Sequence, residues 1–197
     1  MPRFADHSER RTAIADALIN VIAQRGIEAV SIRSIAAEAG VSAGTVQHYF
    51  SSKQEIFDFA VASLRVRASA RIAEHLEVQA SSPGASPGRQ VARTVLKQVL
   101  PLDDASLRES KVALALHAHA VTHGGASSAQ VADWEELRRF VVEEIHGGSD
   151  LLFADRMVMA TALMGAAEGL SILALAGYVS KSEAAEAFDL LDRMLGN

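Results

Sequence analysis

Apolar residues recur at helical spacing along almost the whole chain, and no stretch alternates with period two long enough to make a strand. Ala13, Ile14, Ala17, Leu18, Val21 and Ile22 predict a helix over 8–25, stopped by Gly26. Ser31 can then cap a helix over 32–38, with Ala39-Gly40-Val41 as a turn in which Gly40 takes a positive φ at no steric cost. Ser42 can cap a further helix running to about Tyr49. Ser52 and Glu55 have the spacing of a capping box. They open a long helix whose stripe is Ile56, Phe57, Ala60, Val61, Leu64, Ala68, Ile72 and Leu76.

The stripe ends near Ala80, where SSPGASPG (81–88) breaks the pattern with two Pro-Gly pairs. Helices are expected at about 89–100, 104–123, 128–146, 150–178 and 182–195, separated by Pro101, Gly124-Gly125, Gly147-Gly148 and Ser180. The prediction is an all-α chain of about nine helices, with no sheet and no internal repeat. Two short helices about Gly40 have the layout of a helix-turn-helix, whose second helix enters the DNA major groove.

Within residues 31–50, Ile32, Ile35, Ala36, Val41, Val46 and Phe50 are spaced to form a small core. Arg33, Ser34, Ala43, Gly44, Thr45, Gln47, His48 and Tyr49 are left to face outward. Gly44 removes a side chain where a helix must approach a DNA backbone, and Ala43 is nearly as slim. Thr45 offers a hydroxyl to phosphate and a methyl to thymine. Gln47 is either a base-reading side chain suited to adenine or a solvent-facing filler. The helix starting at Ser31 can present N–H groups to a phosphate; Arg33 can reach phosphate or a base edge, and Arg10 and Arg11 can follow the flanking backbone.

Charge refines this picture without having suggested it. The formal net charge is −5, yet residues 1–75 hold nine Lys and Arg against eight Asp and Glu, and residues 76–197 hold ten against sixteen. A near-neutral head on an acidic body suits a chain that touches DNA at one end only. There are no cysteines, so disulfides, thiolate metal sites and Cys nucleophiles are excluded. The first residues lack signal-peptide character. Residues 157–179 approach membrane-spanning length, but Glu168, three glycines and the lack of a basic flank favour a buried bundle helix that is apolar all round.

The linked elements from Ala17-Leu18 through Gly26, Ile35-Ala36-x-x-Ala39-Gly40-Val41-Ser42-x-Gly44-Thr45 and His48-Tyr49-Phe50-x-Ser52-Lys53 resemble the N-terminal domain of the TetR family of bacterial transcriptional regulators. The resemblance covers residues 8–68, with the helix-turn-helix at 31–50. It implies that Tyr49, His48 and Lys53 contact the DNA backbone, and it brings Ser42 into the same reading surface. One position departs. Where many family members carry an aromatic residue this chain has Gln47, so the details of base contact do not transfer.

The resemblance further implies that residues 69–197 form a ligand-binding and dimerisation domain, and that the protein is a cytoplasmic homodimeric repressor, released from a palindromic operator by a small molecule. Ala162, Gly165, Ala166 and Gly169, with Ala184, Ala187, Phe188, Leu191 and Leu195 of the last helix, fit a four-helix interface. Polar residues on apolar helices, His117, His119, Thr122, His123, Thr161, Glu168 and Ser171, are candidate ligand contacts. Trp134, Phe140, Met157, Met164 and Tyr178 are either pocket lining or core. His119 and His123 lie four apart, but two imidazoles alone do not make a metal site, and no metal or cofactor is expected. A small helical enzyme or a DNA-binding scaffold without a ligand are the rival readings. No nucleophile elbow, paired carboxylates or phosphate loop supports the enzyme.

Overall fold

The computed structural model of the chain describes residues 3–79, 87–145 and 152–194. Among them are nine α-helices and no strand: α1 (Arg3–Arg25), α2 (Ile32–Ala39), α3 (Ala43–Tyr49), α4 (Lys53–Gln79), α5 (Pro87–Lys97), α6 (Asp104–Thr122), α7 (Ser128–Ile145), α8 (Phe153–Leu175) and α9 (Lys181–Met194). A 3-10 turn at Ile27–Ala29 joins α1 to α2. Most of the break expected at 81–88, Gly147-Gly148 and Leu195 lie outside the described residues. Two starts differ from expectation. α1 begins five residues before Ser8, and α5 begins at Pro87, whose fixed φ suits a first helical position.

Side-chain caps explain where most helices start. Ser31 accepts from the Ser34 backbone N–H at 3.0 Å while Ser34 Oγ accepts from the Ser31 N–H at 2.8 Å, a reciprocal box in which serine takes the usual place of Glu or Gln. Asp103 and Ser106, Ser127 and Gln130, and Ser180 and Glu183 make equivalent pairs before α6, α7 and α9. The box expected from Ser52 and Glu55 forms only by half. Ser52 Oγ accepts from the Glu55 N–H at 3.1 Å, but the Glu55 carboxylate reaches one residue further back, to the Ser51 N–H and hydroxyl, both at 2.8 Å.

The helices fall into two compact units, Met1–Val66 with Lys111–Gln130 and Arg67–Ser110 with Val131–Asn197. In the first, α1 packs on α2 and α3, and Ile14, Leu18, Val21, Ile35, Val46, Phe50, Ile56 and Phe57 make the core together with Val112 and Leu116 of α6. Arg11 lies at one edge of that core. Its guanidinium donates to the Tyr49 carbonyl at 3.3 Å and to Glu55 at 2.9 Å, and it lies over the rings of Phe50 and Phe59 at 4.3 and 4.8 Å. Arg11 is therefore spent inside the head, tying α1 to the end of α3 and the start of α4, and is not the backbone-tracking residue expected from the sequence. The Ser51 hydrogen bonds, followed by Arg11, hold the Glu55 carboxyl below its ordinary range.

In the second unit Leu96, Leu100, Val141, Val142, Ala160, Leu163, Met164, Ala167 and Phe188 form the core. Asp189 of α9 receives Arg93 Nε at 2.9 Å and Lys97 Nζ at 2.7 Å, fastening α9 to α5. α8 is long and apolar enough to cross a membrane by length and composition alone. It is not buried all round, however. Ala160, Leu163, Met164, Ala167 and Ser171 face the core, while Val158, Ala162, Gly165, Ile172 and Leu173 are exposed. Its high apolar content therefore serves two faces, only one of which the described residues cover.

Two outcomes are expected from these joints. Arg11→Leu keeps an apolar stem over the rings but removes the charge and the carbonyl partner. A cost of about 1–2 kcal/mol, or roughly 3–6 °C in a thermal melt, is expected, and an unchanged melt would refute the role of Arg11. Burial pushes the Asp189 carboxyl up, but the hydrogen bonds and charges of Lys97 and Arg93 outweigh it and leave the net shift downward. A depressed folded-state value means stability that is present above the ordinary carboxylate range and lost as pH falls through the folded value. Asp189→Asn should thus lower stability at neutral pH and flatten the acid limb of the stability profile, read by urea titration across the acid range.

Candidate nucleic-acid interface

Gly40 takes φ 66° and ψ 31°, the left-handed conformation that ends α2 and lets the chain turn into α3 within three residues. The Val41 N–H returns to the Ala36 carbonyl at 2.9 Å, closing the turn. Ser42 then caps α3, accepting from the Thr45 N–H at 3.0 Å, and its hydroxyl meets Thr45 Oγ1 at 2.8 Å. Val46 and Phe50 anchor α3 to the core. The opposite face carries Gly44, Gln47 and His48, all exposed, with Thr45 and Tyr49 half-buried beside them. Ser31 and Arg33 are exposed on α2, and Ala43 is half-buried against the core.

A Cβ added at Gly44 would meet only the Ser42 hydroxyl, at an ordinary 3.7 Å. Nothing inside the chain therefore demands glycine there, so its slimness matters only for something approaching from outside. Gln47 is exposed, which leaves both hydrogen-bonding edges of its amide accessible. Tyr49 is flanked by two imidazoles, His48 at 5.2 Å edge-on and His7 of α1 at 4.9 Å. His7 was not singled out from the sequence, because its relation to Tyr49 spans 42 positions and follows no local spacing. Lys53 is exposed at the first turn of α4, its ammonium 5.3 Å from the Phe57 ring centre.

The residues expected to bind a ligand divide between the two units. His117 is exposed. His119 belongs to the first unit, where its ring lies 5.5 Å from Phe57 and is stacked on His123 at 3.9 Å. These rings border a small open cleft shared with Gln54, Leu116, Gly125 and Gln130. Burial, then the charges of His123 and Lys53, hold the His119 imidazole below its ordinary range, against an opposing pull from Glu28. Among the described residues no group of three or more His, Asp or Glu is arranged to hold a metal ion.

Trp134, Met164 and Glu168 belong to the second unit. Trp134 is 40% exposed with the Arg138 guanidinium over its ring at 4.8 Å, and Met164 is a core residue. Glu168 is half-buried and not without a partner, so the cost of an enclosed lone carboxylate does not arise. Phe140 and Met157 pack against the core, whereas Tyr178 is exposed. Of the residues expected at a dimer interface, Ala162 and Gly165 are exposed and Ala166, Gly169 and Leu191 half-buried. Phe188 is fully buried in the core of its own unit and cannot touch a partner directly; Leu190 and Met194 are the large exposed apolar residues of α9, with Ala187 exposed as well.

Comparison with known proteins agrees with this geometry. Residues 14–59 match the family described as bacterial regulatory proteins, tetR family. The chain is 35% identical over 120 residues to the HTH-type transcriptional regulator PksA of Bacillus subtilis, an alignment covering 61% of this chain and 56% of that protein. The chain thus spans little more than half of that curated relative. A transcriptional regulator from Rhodococcus superposes with a TM-score of 0.75 at 28% identity, covering 93% of this chain and 94% of that one. A regulator from Saccharomonospora viridis, solved in complex with choline, shares the fold with a TM-score of 0.74 at 23% identity over 92% of this chain and 94% of that one. By its capped helix-turn-helix, by the match over residues 14–59 and by the fold of the described residues, the protein resembles the tetR family of bacterial regulatory proteins, and residues 14–59 carry that family's DNA-binding module.

Proposed function

We propose that the chain is a homodimeric transcriptional regulator of the bacterial cytoplasm, acting as a repressor that leaves a palindromic operator when a small molecule binds. The observation that carries this reading is the outward face of α3, where Gly44, Gln47 and His48 are exposed on a helix fixed by Val46 and Phe50. Gln47 reads a base, with Thr45 beside it for a thymine methyl or a phosphate. Ser31, Arg33, Ser42, Ala43, Gly44, His48, Tyr49 and Lys53 fix the register on the backbone. No part of the reading calls for catalysis.

Residues 8–68 act as the DNA-binding domain and residues 69–197 as the effector and dimerisation domain in this reading. Val158, Ala162, Gly165, Gly169 and Ile172 follow one another by four, three, four and three residues, the spacing that keeps a single seam facing a partner helix. Four of the five are exposed, and Leu190 and Met194 of α9 add further uncovered apolar surface. A symmetry-related copy covering this face would bring two α3 helices into one assembly, as two half-sites require. An effector releases the DNA only by binding the non-DNA-binding state more tightly, with a coupling of about 1–3 kcal/mol.

Selection from random duplexes should enrich a near-palindromic sequence; failure to enrich any would overturn the regulator reading. On the selected operator, Gln47→Ala should cost about 1–3 kcal/mol of discrimination at one base step, whereas Lys53→Ala should weaken all sequences alike and lower the salt slope by about one. Equal effects of both variants on every duplex would remove Gln47 from base reading. A Cβ at Gly165 meets nothing within 4 Å and the position is exposed, so Gly165→Arg should leave the fold intact while yielding monomers in light scattering. A retained dimer mass would exclude this face of α8.

A further inference from the structure

We propose that α1 extends the DNA interface: His7, seated on Tyr49, joins His48 in a clamp for one backbone phosphate whose grip depends on proton uptake. The inference rests on the DNA-binding reading of α3 and adds a residue from outside the helix-turn-helix. His7 and His48 are both exposed, and neither belongs to the core of the first unit, so packing gives no account of why two imidazoles gather on one phenol ring. Their positions are nonetheless fixed. The Tyr49 carbonyl accepts from Arg11 at 3.3 Å, one turn along α1 from His7, so the start of α1 and the end of α3 are held together by backbone as well as by ring contact.

The charges on the elements that meet here set the sign. Arg11 and Glu55 are paired at 2.9 Å and neutralise one another. α1 also carries Glu9 and Arg10, α3 carries Tyr49 and His48, and α4 opens with Lys53. An imidazole gains a second N–H donor and a positive charge on protonation, and it is the side chain whose ordinary titration lies near neutral pH. A phosphate brought against two such rings favours their charged forms, so DNA binding takes up protons and tightens as pH falls. The effect follows the backbone and is therefore the same for every sequence.

The test is fluorescence anisotropy on the selected operator and on a random duplex, at constant salt, for the wild type and for His7→Gln, His48→Gln and the double variant. The wild type should bind roughly tenfold more tightly at about pH 6 than at about pH 8, on both duplexes, which is an average uptake of about half a proton across that range. Each single variant should lose part of that gain, and the double variant should lose nearly all of it while still binding at the higher pH. Lys53→Ala, which removes a charge that does not titrate in this range, should weaken binding and keep the pH dependence. A wild-type affinity that ignores pH overturns the clamp. So does a dependence that survives in the double variant, as it would if His119 were the source, or one confined to the operator. If the wild type binds neither duplex at either pH, the DNA-binding reading itself fails; loss of the pH response alone leaves that reading standing.

Discussion

The contact between Arg11 and Glu55 is the joint on which the helix-turn-helix head depends. α3 is only two turns long, too short to be stable by itself, and its direction is set by what holds its two ends. Ser42 fixes the start. At the other end the chain must leave α3 at Tyr49 and enter α4 at Lys53 within a few residues, with backbone groups on both sides needing partners. Glu55 takes the Ser51 N–H, and Arg11 takes the Tyr49 carbonyl and then Glu55. A fork of donors on a rigid plane can do all this while lying on Phe50 and Phe59; a lysine ammonium offers no such plane.

The second unit is organised by a different constraint. α8 must supply a core face to Leu96, Val141 and Phe188 while presenting apolar residues on its far side. An apolar face left in water is a hydrophobic liability unless another surface covers it. The small residues on that face, with open space above Gly165 and Gly169, leave room for close approach of a second helix. Asp189 holds α9 beside it through Arg93 and Lys97, so that Leu190 and Met194 stand on the same unit as the α8 face.

Much of the head was legible in the chain because its determinants are local. Ser31, Gly40 and Ser42 act within three or four residues of themselves, and the spacing of Ile35, Ala36, Val46 and Phe50 predicts their burial. The side-chain contacts that local spacing did not reveal have distant partners. Arg11 meets Tyr49 and Glu55 across 38 and 44 positions, and His7 meets Tyr49 across a similar gap. His119 was expected among the effector contacts of the C-terminal part, yet lies against Phe57 of α4. Phe188 and Leu190 are two residues apart on one helix, and periodicity alone does not say which of them points inward.

The sequence by itself determined that this protein is helical, that it carries a helix-turn-helix, and that the second helix of that motif has a polar outward face. Caps, a left-handed glycine and a 3.6-residue period are read within one or two turns, so no other part of the chain is needed to recognise them. Only the tertiary structure decided which polar side chains are consumed internally and which remain available: Arg11 inward, Gln47 and His48 outward, His7 brought up beside Tyr49. It also decided that α8 has two apolar faces where its composition suggested one buried cylinder. The reason is the same in each case. Burial and pairing are properties of what a residue meets, and for these residues the partner lies far along the chain.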